Sequence, residues 1–112
     1  MKKCLLVAST LFLTSLSVFA GGFYGNVQKA TVAQTLSMPD DAYVSVQGNI
    51  VKKISPEKYL FKDATGSIVV EIEHDKWGFV EATEKDVLEL TGEVERKFNS
   101  IHIDVDRVKK VN

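Results

Sequence analysis

The sequence holds one cysteine, two prolines and one tryptophan in 112 residues, and its basic and acidic residues nearly cancel, 14 against 15. Each shortage closes off something. The cysteine, Cys4, lies inside the apolar stretch at the start, and no thiol follows it. Disulfides, cysteine–zinc sites and thiol catalysis are therefore excluded for the rest of the chain. The two prolines, Pro39 and Pro56, read as a helix end and a turn. No surplus of Lys and Arg is present, which a nucleic-acid binder needs to displace counterions from phosphates. The one long apolar run, Cys4 to Ala20, has 17 residues with several Ser and Thr, at the short limit for a spanning helix.

That run is better read as a secretory signal. Lys2 and Lys3 precede it, and "SVFA" puts Val18 and Ala20 at the small-residue positions before a cut. Cleavage is expected between Ala20 and Gly21, with a membrane anchor as the alternative. The expected organisation is a signal peptide, 1–20, followed by one domain, 21–112, of 92 residues. Loss of Lys2 and Lys3 leaves 12 basic residues against 15 acidic ones, a net charge of −3. The expected location is outside the cytoplasm, with no stable membrane insertion after cleavage.

What is present is mostly alternation. "GGFYGNVQKA" reads as a flexible lead. Val32, Leu36 and Met38 recur at roughly helical spacing, so a short helix is predicted over Thr31–Ser37, capped by Thr31 and ended by Pro39. From Ala42 the period changes to two. "AYVSVQGNIVKKI" is a long strand with Gly48 inside it, and "VLELTGEVERKF" is another with Gly92 inside it. "YLF", "IVVEI" and "IHIDVDRVKKV" complete five strands. Leu88, Leu90, Val94 and Phe98 are expected on one inward face. Mid-strand glycines mark bulges or bends, the corners a curled five-stranded sheet needs. The prediction is all-β: a five-stranded OB-fold barrel with one short N-terminal helix. An antiparallel sheet packed on a helix is the alternative.

The run from "MPDDAYVSV" through "YLFKDATGSIVVEIEHDKW" to "TGEVERKFNSIHIDV", with "GGFYG" and "TVAQTLSMPDDA" before it, resembles the bacterial OB-fold (BOF) family of small periplasmic stress-associated proteins. The likeness spans essentially the whole chain after the signal. No single motif is diagnostic, but their order and spacing are specific. The resemblance implies an OB fold, a periplasmic location, a role in envelope stress tolerance, no enzymatic activity and, for some members, peptidoglycan binding.

The residues themselves offer three candidate surfaces. Tyr59 and Phe61 share a parity opposite Lys58, Leu60 and Lys62, so they are expected in the core, which removes the base-stacking platform of single-strand-binding OB domains. Trp77 and Phe79 are expected either to plug the open barrel end or to line a sugar-binding groove. A groove lined by Lys58, Lys62, Glu71, Glu73 and Trp77 is the expected ligand site, for a peptidoglycan fragment or a cationic small molecule. The second surface is a set of acid rows: Glu71, Glu73 and Asp75; Glu89, Glu93 and Glu95; His102, Asp104 and Asp106. Side chains two apart on a strand stand about 7 Å from one another on one face. His102, Asp104 and Asp106 are the candidate ligands of a divalent cation, and a solvated barrel face is the alternative. Nucleic acid, the third, is disfavoured by charge. No nucleophile-elbow context surrounds any serine, His74 and His102 lack a nucleophile partner, and no cofactor is expected. Asp63 is expected to cap the "KDATG" turn.

Overall fold

The computed structural model describes residues 27–112. The expected signal peptide, 1–20, and most of the glycine-rich lead lie outside the described residues. The described residues form six strands: β1 Gln28–Lys29, β2 Tyr43–Ser55, β3 Lys58–Asp63, β4 Gly66–Glu71, β5 Leu88–Lys97 and β6 Ser100–Lys110. A helix, α1 Val32–Thr35, follows β1, and a 3-10 turn, His74–Trp77, follows β4. The sheet runs β1-β2-β3-β4-β6-β5, and β5 returns to pair with β2. Five strands thus close into a barrel, the OB architecture expected from the alternation. β1 lies outside the ring, parallel to the first half of β2.

β2 serves both sides of the closure. Tyr43 to Gly48 pair with β5, and from Asn49 the strand pairs with β3. Gly48 stands at the change of partner. A Cβ there would lie 2.2 Å from the Lys62 carbonyl oxygen, so only glycine fits. Gly92 does the same for β5 and β6, where a Cβ would meet the Asp104 carbonyl oxygen at 2.1 Å. Next to it Gly92 pairs with Val105 but Thr91 pairs with Arg107, which makes Asp106 the extra residue of a bulge. The bulge resets the phase of β6, so that Val105 and Val108 both face inward.

Inside the ring Val44, Val46, Phe61, Val70, Leu90, Val94, Ile103 and Val105 are buried, with Tyr59 at the rim. Full burial of such a side chain is worth roughly 1.5–3 kcal/mol, which is how a thiol-free domain holds together. The inward parity expected of Tyr59 and Phe61 is observed.

Four local expectations are corrected. Phe98 is not in the core: β5 ends at Lys97, and Phe98 sits in the hairpin turn, 98% exposed. Alternation carries no burial once the strand has passed the barrel rim. Phe79 plugs nothing and is fully exposed beyond Gly78. The lead is not wholly unstructured, because Gln28 and Lys29 pair with Val44 and Ser45 through backbone alone. The helix is shorter than predicted, Val32–Thr35, with Thr31 as its cap.

α1 is a single turn, yet its N-terminal N–H groups are all met. Asp63 Oδ2 accepts from Val32 at 2.9 Å, Thr65 Oγ1 from Ala33 at 2.9 Å, and Thr31 Oγ1 from Gln34 at 3.1 Å. Gln34 Oε1 accepts from the Thr31 N–H at 2.9 Å, completing a capping box. Behind the helix Arg96 donates through Nε to Met38 O at 2.8 Å and through Nη2 to Leu36 O, while its own N–H reaches Asp40 at 2.8 Å. Asp63 Oδ1 also accepts from Thr65 and Gly66, so it caps the turn as expected and pins the helix as well.

Candidate ligand groove and acidic wall

The mouth of the barrel away from α1 is covered by the segment between β4 and β5. Its 3-10 turn delivers Trp77, half-buried, edge-on against Tyr59 with ring centroids 5.7 Å apart and planes at 78°. Gly78 follows with φ 59°, a left-handed backbone that lets the chain reverse beyond the indole. The far half of β2 does not follow the barrel wall smoothly. Ile50 pairs with Phe61 but Lys52 with Leu60, and Lys53 pairs with Tyr59 but Ser55 with Lys58. Val51 and Ile54 are therefore extra residues, 39% and 50% exposed. This twice-bulged arm and the covering segment enclose a groove of about 590 Å³, lined by Lys52, Lys53, Tyr59, Trp77, Glu81 and Glu84 among others. An indole, a tyrosine and charges of both signs make a mixed surface.

The five residues expected to share a groove are dispersed. Trp77 lines it. Lys58 and Lys62 are exposed on the outer face of β3, on either side of Leu60. Glu71 ends β4 in register with Lys58, and Glu73 is exposed in front of the 3-10 turn. Lys52, Lys53, Glu81 and Glu84 were missed. The one signal for the two lysines was the "KK" that interrupts the period of two in β2, and Glu81 and Glu84 carried none.

Only part of each expected acid row meets, on the outer face of β4, β6 and β5: Glu73 and Asp75 lie beyond the end of β4, and Glu89 sits against Ser45. Register places Glu71, Asp104, Glu93 and Tyr43 side by side across β4, β6, β5 and β2. His102, one step along, has Nε2 3.6 Å from Glu71 Oε1 and 3.5 Å from Glu95 Oε1, its side chain 13% exposed. Asp106, displaced onto the bulge, accepts the Tyr43 hydroxyl at 3.2 Å. Partial burial, then the charges of Glu95, Glu71 and Asp106, raise the Asp104 carboxyl above its ordinary range, against the opposing effect of His102. Burial and the charges of Asp41, Asp106, Asp104 and Glu95 raise Glu93 likewise. The wall thus carries negative charge that the fold does not neutralise. His102 and Asp104 share it, but among the described residues no three His, Asp or Glu groups are placed to hold a metal ion together.

The match to a family model settles the lineage. The model for bacterial OB fold (BOF) proteins matches residues 14–110. The chain belongs to this family. It is 48% identical to protein YgiW of Escherichia coli, with 100% of this chain and 99% of that one covered. It is 38% identical to the calcium-regulated OB-fold protein CarO of Pseudomonas aeruginosa, over 96% of this chain and 93% of that one. The solved structure of the E. coli ygiW protein superposes with a TM-score of 0.72 at 44% identity, covering 82% of this chain and all of that one. The BOF barrel of this chain is therefore a family property.

Proposed function

We propose that this BOF protein is a non-catalytic binding module that works in the periplasm, once residues 1–20 are removed, and supports envelope stress tolerance by engaging a peptidoglycan fragment. The observation that carries the reading is the groove beside the covered barrel mouth, where Trp77 leans on Tyr59 between lysines and glutamates. Sugar rings pack on aromatic side chains, and a muropeptide carries both carboxylates and an amine. Lys52 and Lys53 suit the first, Glu81 and Glu84 the second. The groove volume, about 590 Å³, lies within the usual range for small-molecule sites, roughly 300–1,000 Å³. Family relatives named as OB-fold proteins accord with binding rather than catalysis.

The test is an amide NMR titration with a soluble muropeptide. Saturable shifts at Lys52, Lys53, Trp77 and Val80 are expected. Their absence, or shifts that persist unchanged in Trp77→Ala, would remove the groove as the site. A second reading, capture of a small cation by the acidic wall, is favoured by the raised Asp104 and Glu93 carboxyls. Its signature is a different set of shifts, at Glu71, Glu93 and His102, that weakens with added salt. Calorimetry with calcium, zinc, manganese and copper tests the divalent version of that reading, for which silence with all four is disqualifying.

A further inference from the structure

A second groove, of about 400 Å³, lies on the other half of β2, before Gly48. Its floor is Ser45 and Gln47, and one bank is the β1–α1 junction with Lys29 and Gln34. The other bank is β5 with Glu89, and Asp63 closes one end. Register fixes the arrangement. Lys29 pairs with Ser45 across one edge of β2, and Glu89 pairs with Gln47 across the other. Lys29 and Glu89 are thus two strand spacings apart and two residues out of step along β2, about 12 Å between backbones. They flank Ser45 on one outward face.

These opposite charges do not close on each other. Among the described residues the ion pairs are His102 with Glu71 and Glu95, and Lys110 with Asp86. Glu89 is instead held by Ser45, which is 8% exposed and donates its hydroxyl to Glu89 Oε2 at 3.2 Å. Asp63 has committed both oxygens to N–H groups of α1 and its own turn, so Glu89 is the acid open to a ligand. Gln34 Oε1 accepts from Thr31, which leaves its amide NH2 as the free end. The groove therefore offers a fixed carboxylate on one bank, an ammonium on the other and amides between them.

From this geometry we infer that the groove before Gly48 binds a small zwitterion of the amino-acid class, its ammonium on Glu89 and its carboxylate on Lys29. A simple amine answers Glu89 and leaves Lys29 unmatched. A simple carboxylate does the reverse. A molecule carrying both charges a few ångströms apart answers both banks at once, and its backbone rests on Ser45 and Gln47. This site is separate from the groove at Trp77 and stands or falls independently of it.

The test is an amide NMR titration of the protein with glycine, alanine and glutamine, beside acetate and methylammonium at matched ionic strength. Saturable shifts at Ser45, Gln47 and Thr91 with the amino acids are expected, without shifts at Trp77. Acetate and methylammonium should each bind about tenfold more weakly, the size of one lost charge-assisted hydrogen bond. Lys29→Gln and Glu89→Gln should each weaken binding by a similar factor while keeping a native spectrum, since both lie at the surface. Ser45→Ala, which frees Glu89 to wander, should weaken it less. No saturable shift with any amino acid overturns the inference. So does acetate or methylammonium binding as well as the amino acids, or unchanged binding in both charge variants.

Discussion

At the α1 end of the barrel, three successive N–H groups of the helix start are each met by a side chain, and Arg96 ties the chain behind the helix to β5. At the other end a half-buried indole leans on one tyrosine, and the strand arm beside it bulges twice. The first end is closed by directional bonds to backbone, the second by one aromatic contact and loosely wound chain. Directional closure satisfies the backbone of the helix start and leaves only the side chains of the groove before Gly48 open. The loose end keeps apolar surface and unpaired charge within one groove. The contrast is between an end whose backbone is tied down by side chains and an end whose cover is held by one aromatic contact.

Gly48 is where β2 passes from one end's partner to the other's, so its replacement should break both. Gly48→Ala forces a Cβ against the Lys62 carbonyl. It should cost about 3 kcal/mol or more, the upper part of the range for overpacking a closed interior. Urea unfolding would show it as a large fall in midpoint, and a near-wild-type midpoint would contradict the close approach.

Asp63→Ala should loosen only the α1 end, by about 2 kcal/mol, the scale of hydrogen bonds to a charged acceptor. Its pH dependence separates it from the wall acids. Burial would raise the Asp63 carboxyl, but the bonds from Thr65, Val32 and Gly66 outweigh it and hold it below its ordinary range. A carboxyl lowered by folding contributes stability above its unfolded pKa and loses it as pH falls through the folded one. The deficit of Asp63→Ala should therefore shrink in acid, as thermal melts across the carboxylate range would show.

Trp77→Ala should cost less, roughly 1–2 kcal/mol for a partly buried indole and one edge-on aromatic pair. The same change should abolish muropeptide binding. A variant that loses stability but keeps binding would remove the groove at Trp77 as the muropeptide site.

The smallest expected effect has the opposite sign. Asp104 is raised by folding, so its contribution is present below its unfolded pKa and is lost as pH rises through the folded one. Asp104→Asn should stabilise the protein at neutral pH by less than about 1 kcal/mol, as befits a partly exposed charge. The gain should vanish at about pH 3, where unfolded carboxylates are mostly protonated.

The barrel was legible because its signals are local and repeated. Gly48 and Gly92 announced its corners, and the parities of Val44, Tyr59, Ile68 and Ile103 announced its inside. The bulges were not legible, because one extra residue at Val51, Ile54 or Asp106 shifts the phase without changing composition. That is why the groove at Trp77 was foreseen through its indole but not through Lys52 or Lys53. β1 had no signal at all, since two exposed polar residues dock by backbone alone. The convergence of the acid rows followed from parity, but the diversion of Asp106 to Tyr43 depends on the bulge and could be seen only in the folded chain.

The pairing of β2 with β5 joins residues 40 to 50 positions apart, from Gly48 with Leu88 to Tyr43 with Glu93. Closure is consequently a late event. The β2–β3–β4 meander can zip up from its own turns, but one edge of β2 stays bare until the last quarter of the chain arrives. Pairings this distant in sequence slow folding, because the loop entropy is lost before the contacts reward it. In that interval the open edge is the part of the molecule most able to pair with a second unfinished copy.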